Sequence, residues 1–228
     1  MIVSPHDNAP APGPSASPNA FPAVFFRELF AGCRPERHDA GQALFIQGDP
    51  GDRIFGVLSG KLEISLLAVD GRKLVANIET ADSLVGEIAA LDGGPRSASV
   101  TCLSDCSVVS LSRAQMLDRL DRSPTLSHAV IAHLCARLRW MSDEVGDQAL
   151  LTLDRRLAKR VLLLAGILAE PTGWIVVSQQ EIAEFLGATR ESVNKALSEW
   201  RSSGFVEVGR NRLRVIDPHG LRRIAEGR

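Results

Sequence analysis

Cysteine is scarce in this chain. Four are present, Cys33, Cys102, Cys106 and Cys135, and none stands at a metal-ligand spacing. Only Cys102 and Cys106 lie close together, flanking a turn between two apolar runs, which is a setting for buried thiols rather than for a metal or redox centre. Extended apolar stretches are missing as well. The longest, residues 161–169, is far too short to span a bilayer, and no apolar run precedes the first basic residue, Arg27. Neither a membrane segment nor a secretory signal is expected, and the sequence places the chain in the cytoplasm. Catalytic signatures are also absent: there is no phosphate-binding Walker loop, no His-Glu-x-x-His and no Gly-x-Ser-x-Gly, and the five histidines are dispersed. These residues do not support an enzyme.

No sign of charge dominates, since the formal net charge is −1, but the distribution is uneven. Residues 1–151 hold 13 Lys+Arg against 18 Asp+Glu, net −5, whereas 152–228 hold 13 against 9, net +4. The basic part is the candidate DNA binder. With 45% hydrophobic residues in 228, the chain is long enough to bury two modest cores.

Residues 1–20 carry five prolines and little hydrophobicity, the composition of a disordered tail. A short apolar helix is predicted over 24–30. Strand patterns follow at 43–46, 53–58, 61–69, 74–78, 97–103 and 107–111, separated by turn signals such as Gly48-Asp49-Pro50-Gly51, Ser59-Gly60 and Asp70-Gly71. Short strands at this spacing predict a β-roll or jelly roll over 21–122. Over 123–151 the period changes. Ile131, Leu134, Leu138, Met141 and Val145 recur at alternating spacings of three and four, which is a coiled-coil seam. A helix packed on its own domain has the same stripe, but about 28 residues reach roughly 40 Å, beyond what a small roll covers, so dimerisation is favoured.

Residues 86–100 read GEIAALDGGPRSASV. A cyclic nucleotide carries one phosphate charge and one free ribose hydroxyl, so it needs a guanidinium at one end and a carboxylate acceptor at the other. Arg96 and Glu87 are the candidates. Gly86 lets the backbone approach the ligand, the amides of Ile88 and Ala89 open a helical turn toward the phosphate, and Ser97 adds a hydroxyl. The plain alternative is a set of polar turns between strands.

In 152–228 a helix is predicted over 153–168 and a strand over 174–177. Ser178 followed by Glu181 is a capping box, opening a helix with Ile182, Ala183 and Leu186 inward that ends at Gly187. Thr189 caps a second helix with Val193, Ala196, Leu197 and Trp200 inward. Two short helices around a glycine turn form a helix-turn-helix, and strands at 205–208 and 213–216 add a hairpin wing. Arg190, Glu191, Asn194 and Lys195 then fall on the outer face, where a recognition helix meets base edges. A solvated face with a Glu191–Lys195 ion pair is the alternative. Ser178 and Thr189, at the two helix starts, complete the candidate DNA contacts together with Arg210 and Arg212, which would meet phosphates.

On these two motifs, in this order, the chain resembles the catabolite activator and fumarate–nitrate reductase regulator family over about residues 24–226. The resemblance implies an α+β fold with an N-terminal cyclic-nucleotide-binding β-roll, a long dimerisation helix and a C-terminal winged helix-turn-helix domain. It also implies a homodimer, cAMP or else cGMP as allosteric effector, no metal, and RNA polymerase as a partner. The DNA would be double-stranded and palindromic, with TGTGA-like half-sites. In catabolite activators a Thr-Ser pair in the long helix meets the base, the serine coming from the partner subunit. Met141 and Ser142 match it here, so a thioether replaces one hydroxyl. Lys195 stands where arginine is commoner. The alternatives within the same fold are another effector, such as a redox signal through Cys102 or Cys106, or constitutive DNA binding.

Overall fold

The computed structural model describes residues 20–228, so the tail predicted over 1–20 lies, apart from Ala20, outside the described residues. The first half runs α1 (Ala23–Leu29), β1 (Glu36–His38), β2 (Ala43–Phe45), β3 (Arg53–Ser59), β4 (Leu62–Leu67), β5 (Lys73–Glu79), β6 (Leu84–Val85), α2 (Glu87–Asp92), β7 (Ser99–Cys102) and β8 (Cys106–Ser112). These strands form two antiparallel sheets, β1-β8-β3-β6 and β2-β7-β4-β5. Side chains alternate across each strand, so one set meets the opposite sheet and the other is covered from outside. Phe55, Val57, Leu62, Ile64, Val100 and Val108 fill the space between the sheets. Ile54, Val109 and Leu111, one step out of phase, pack under helices with Phe26, Leu29, Phe30, Met116 and Leu126. Gly56 permits that cover, because a Cβ there would sit 2.5 Å from the Phe30 ring and 2.7 Å from that of Phe26.

Two helices follow, α3 (Arg113–Arg122) and α4 (Pro124–Leu150). The sequence reading missed α3, although Ser112 and Gln115 form a capping box at its start. It stops because Pro124 cannot continue it, whereas the same ring is well placed at the first position of α4. The start of α4 is buried on the roll through Leu126, Val130 and His133. The predicted seam lies on another face and is open to solvent: Leu138 is 62% and Val145 68% exposed, and Ile131 and Met141 are exposed as well. Leu134, on the same stripe, is half-buried and also packs against the roll's helix-covered core.

The last part comprises α5 (Leu153–Leu168), β9 (Trp174–Val176), α6 (Gln179–Leu186), α7 (Arg190–Ser202), β10 (Val206–Gly209), β11 (Arg212–Val215) and α8 (Pro218–Glu226). The wing has three strands in the order β10-β11-β9. Its tip is a two-residue turn, with Asn211 at a φ of 52°. Helix α8, also unforeseen, is capped by Asp217 and packs on α5.

Polar bonds set the angle between α4 and α5. Arg160 donates to Glu144 at 2.8 Å, Lys159 pairs with Asp147 at 2.6 Å, and Arg156 bonds Gln148 and, at 3.2 Å, the carbonyl of Leu186. The winged helix also docks on the roll. Val75 and Ile78 of β5 belong to the same buried cluster as Ile182, Phe185 and Leu186 of α6. Beside them Lys73 reaches Glu63 at 2.6 Å and Glu184 at 3.9 Å.

Candidate functional site

The motif at 86–100 lines a pocket of about 340 Å³ whose wall includes Phe45, Gly86, Glu87, Arg96, Ser97 and Arg137. Glu87 opens the six-residue α2 and is only 2% exposed; its Oε1 accepts from Arg137 Nη1 at 2.6 Å. Arg96 is 4% exposed, and its Nη1 donates to the carbonyls of Arg53, at 2.7 Å, and Gly86, at 3.2 Å. Its Nε is buried without a partner. The guanidinium lies 4.1 Å from the centroid of the Phe45 ring. Burial pushes the Arg96 guanidinium below its ordinary pKa, while Asp52, Asp49 and Glu87 oppose that shift from a distance. Among the described residues no carboxylate forms an ion pair with it. Since Glu87 and Arg137 pair with one another, the pocket is left with one buried positive charge that no ion pair neutralises. Such a charge is costly until an anion arrives.

Gly86 is required here for a reason the sequence did not disclose. Its φ is 80°, and a Cβ would lie 2.4 Å from Arg96 Nη1, so the bare backbone makes room for the arginine itself. Ile88 and Ala89 stand on the pocket wall, with Ile88 exposed and Ala89 buried, and Ser97 sits at the exposed rim. Met141 and Ser142 do not line the pocket within one chain. Both are exposed, and Ser142 Oγ donates to the carbonyl of Leu138 at 3.0 Å. Arg137, one helical turn before Met141, occupies the wall in their place. It was missed, although its i,i+4 relation to Met141 placed it on the same side of the helix. Cys102 and Cys106 are both buried, and burial together with the neighbouring thiol pushes Cys102 up to about 12, so it holds its proton at neutral pH.

The second candidate surface follows the predicted helix-turn-helix. Ser178 Oγ accepts from the Glu181 amide at 3.1 Å, and the Glu181 carboxylate accepts from the Ser178 amide at 2.7 Å. Gly187 ends α6 in the left-handed region, and Thr189 caps α7 by accepting from the Ser192 amide at 3.2 Å. Val193, Ala196, Leu197 and Trp200 are buried, which turns Arg190, Glu191 and Lys195 outward and leaves Asn194 half-exposed. The Glu191–Lys195 ion pair does not form: among the described residues, Arg190, Glu191 and Lys195 have no ion-pair partner. A cleft of about 550 Å³ between α7 and the wing is lined by Gln179, Arg190, Arg210 and Arg212. Arg212 and Arg214 stack on Trp174, at 4.3 and 5.0 Å from its ring centroid, and Arg214 also pairs with Glu207. Gln179, Trp174 and Arg214 were not anticipated; only strand pairing brings Trp174 opposite Arg214.

Comparison with known proteins matches the two domains that carry these surfaces. The cyclic nucleotide-binding domain family matches residues 35–123, and the Crp-like helix-turn-helix domain family matches 155–224. The CRP-like cAMP-activated global transcriptional regulator of Mycobacterium tuberculosis is 30% identical over 197 residues, covering 84% of this chain and 88% of that protein. The cyclic AMP receptor protein of Thermus thermophilus is 28% identical, covering 87% and 97%. Among solved structures, the c-di-GMP responsive global regulator CLP of Xanthomonas campestris superposes with a TM-score of 0.74 at 21% identity, over 86% of this chain and all of that one, and so has the same fold.

Proposed function

This chain belongs to the CRP-like family of transcriptional regulators, with its cyclic-nucleotide-binding and helix-turn-helix domains, and from that premise we propose that it is a homodimer that reads a palindromic operator when a cyclic mononucleotide fills its pocket. The observation that carries the effector assignment is Arg96, buried, charged, unpaired by any described carboxylate and with its Nε unpartnered. A cyclic phosphate supplies one diffuse negative charge at that position. Ser97 adds a rim donor, and Glu87 accepts from the ribose hydroxyl in exchange for its bond to Arg137. cAMP is the first choice, in line with the names of the mycobacterial and Thermus relatives, and cGMP is the second.

The exposed apolar face of α4 supports the dimer. With Ile131, Leu138 and Val145 as one seam position and Leu134 and Met141 as the other, Arg137 falls on one flank of the seam and Ser142 on the opposite flank. In a parallel pair those flanks face each other across the interface, which brings Ser142 of the partner subunit toward the Arg137 side of the pocket. The unpaired Arg190, Glu191 and Lys195 supply base-edge chemistry, while Arg210 and Arg212 in the wing take phosphates. Calorimetry of the wild-type protein and of Arg96→Ala with cAMP and cGMP tests the effector. Micromolar binding by wild type and loss of at least tenfold in the variant is the expected result. Binding weaker than millimolar to both nucleotides, or an unaffected variant, refutes it.

A further inference from the structure

We propose that Phe45 is a positioning residue for the phosphate-binding arginine: its ring face holds Arg96 in place without neutralising it, so the pocket is preorganised and still positively charged before the effector arrives. The proposal rests on the nucleotide reading of the pocket. A buried arginine is usually oriented by a carboxylate, but a carboxylate here would cancel the charge and compete with the phosphate for the same N–H donors. An aromatic face attracts the cation through its quadrupole and leaves every N–H free.

The geometry fits that task. Arg96 sits in a three-sided slot made by the Phe45 ring at 4.1 Å, the bare backbone of Gly86, and the carbonyls of Arg53 and Gly86 that anchor Nη1. The Nε edge remains without a partner. Phe45 is itself restrained, since its ring lies 5.9 Å from that of Phe55, which is also within 5.9 Å of the guanidinium. The pairing of β2 with β7 shifts register between Ala43 and Phe45, an irregularity of the kind that re-aims a side chain beside a site. A missing Cβ at residue 86 is part of the same construction, because it would also lie 3.3 Å from Phe45 Cε1.

Two variants of the full-length protein test this. Phe45→Leu keeps an apolar side chain but removes the π face, while Phe45→Tyr keeps the face. Phe45→Leu should bind the cyclic nucleotide about tenfold more weakly, with Phe45→Tyr within about twofold of wild type. In the ligand-free protein, the Arg96 Nε–H proton should be shifted upfield by the ring current in wild type and in Phe45→Tyr, and should move back in Phe45→Leu. That signal is read without a nucleotide, so it stands even if neither cAMP nor cGMP proves to be the effector. An Arg96 signal unchanged by Phe45→Leu, or a Phe45→Leu protein that binds nucleotide as tightly as wild type, overturns the proposal.

Discussion

Arg96 is held in surroundings that ordinarily exclude a cation, and small changes beneath it are therefore diagnostic. Gly86→Ala would place a Cβ 2.4 Å from Arg96 Nη1 on a backbone with φ of 80°. We expect a loss of stability of about 1–3 kcal/mol and of cyclic-nucleotide affinity by at least tenfold. Thermal melting and calorimetry would reveal it, and a variant that melts and binds like wild type would contradict this account of the slot. His133 offers a pH test. It is packed edge-on against Phe21 at 5.4 Å, and burial, with Arg137 adding, lowers its pKa from 6.5 to about 4. As pH falls, the unfolded chain takes up the proton first, so stability is full above about pH 7 and is lost as pH drops through 6.5 toward 4. Between about pH 7 and 5 the loss should be roughly 1–2 kcal/mol, and His133→Gln should flatten that part of the profile. An equally steep profile in the variant would assign the effect to other groups. Glu87 and Arg96 could be read from the sequence because one short turn–helix–strand unit carries both. Phe45 could not, since a strand far upstream delivers it and no local spacing marks it, and Arg137 comes from a helix far downstream, where only its i,i+4 relation to Met141 pointed to it.

Helix α4 presents two apolar faces. Its first turns bury Leu126 and Val130 on the roll, and its later turns leave Leu138, Met141 and Val145 open. Leu138→Glu would set two carboxylates in one apolar seam, at a cost of several kcal/mol unless they protonate or the helices separate. Sedimentation should report monomers, and a variant that stays dimeric would move the interface elsewhere. At the other end of α4, Arg160 is only 7% exposed, is bonded to Glu144, lies 5.5 Å from the Phe185 ring centroid and keeps Nη1 unpartnered. Glu144→Gln would leave that guanidinium buried without a counter-charge, at about 2–3 kcal/mol, and adding Arg160→Met should recover most of the loss. Denaturant unfolding of the single and double variants measures this, and additive losses would contradict it. The sequence made α4 to α7 legible because apolar period, capping residues and glycine stops agreed with one another. It hid α3 and α8. In α3 Met116 alone is buried, so its charged sequence marks few core positions; α8 is a single nine-residue run that buries Gly220, Leu221 and Ala225; and the two-residue β6 is too short to show a period.

The roll and the winged helix share a strand pair rather than a linker alone. On β4, Ile64 lines the pocket while its neighbour Glu63 faces Lys73 and the winged helix, as side chains alternate along a strand. Val75 and Ile78 of the adjoining β5 are buried against α6. No periodicity announced that contact, because it joins two surfaces remote in sequence, each already complete as a pattern. A change at the pocket thus has two physical routes to α7, through β4 and β5 and through α4 with its polar bonds to α5. At the far end we propose Arg190 as the strongest base reader. Arg190→Ala should cost about 1–3 kcal/mol per half-site and relax preference at one guanine, whereas Arg210→Ala should weaken all sequences alike. Selection from random DNA distinguishes the two, and an unchanged consensus with Arg190→Ala would remove α7 as the reader. The account as a whole stands on the link between pocket and operator. Fluorescence anisotropy on a palindrome of TGTGA-like half-sites, with and without saturating cAMP or cGMP, measures that link directly. Tightening of about 5–150-fold by one of the two nucleotides, lost in Arg96→Ala, is the predicted result. Identical DNA affinity in the presence and absence of both nucleotides would contradict it.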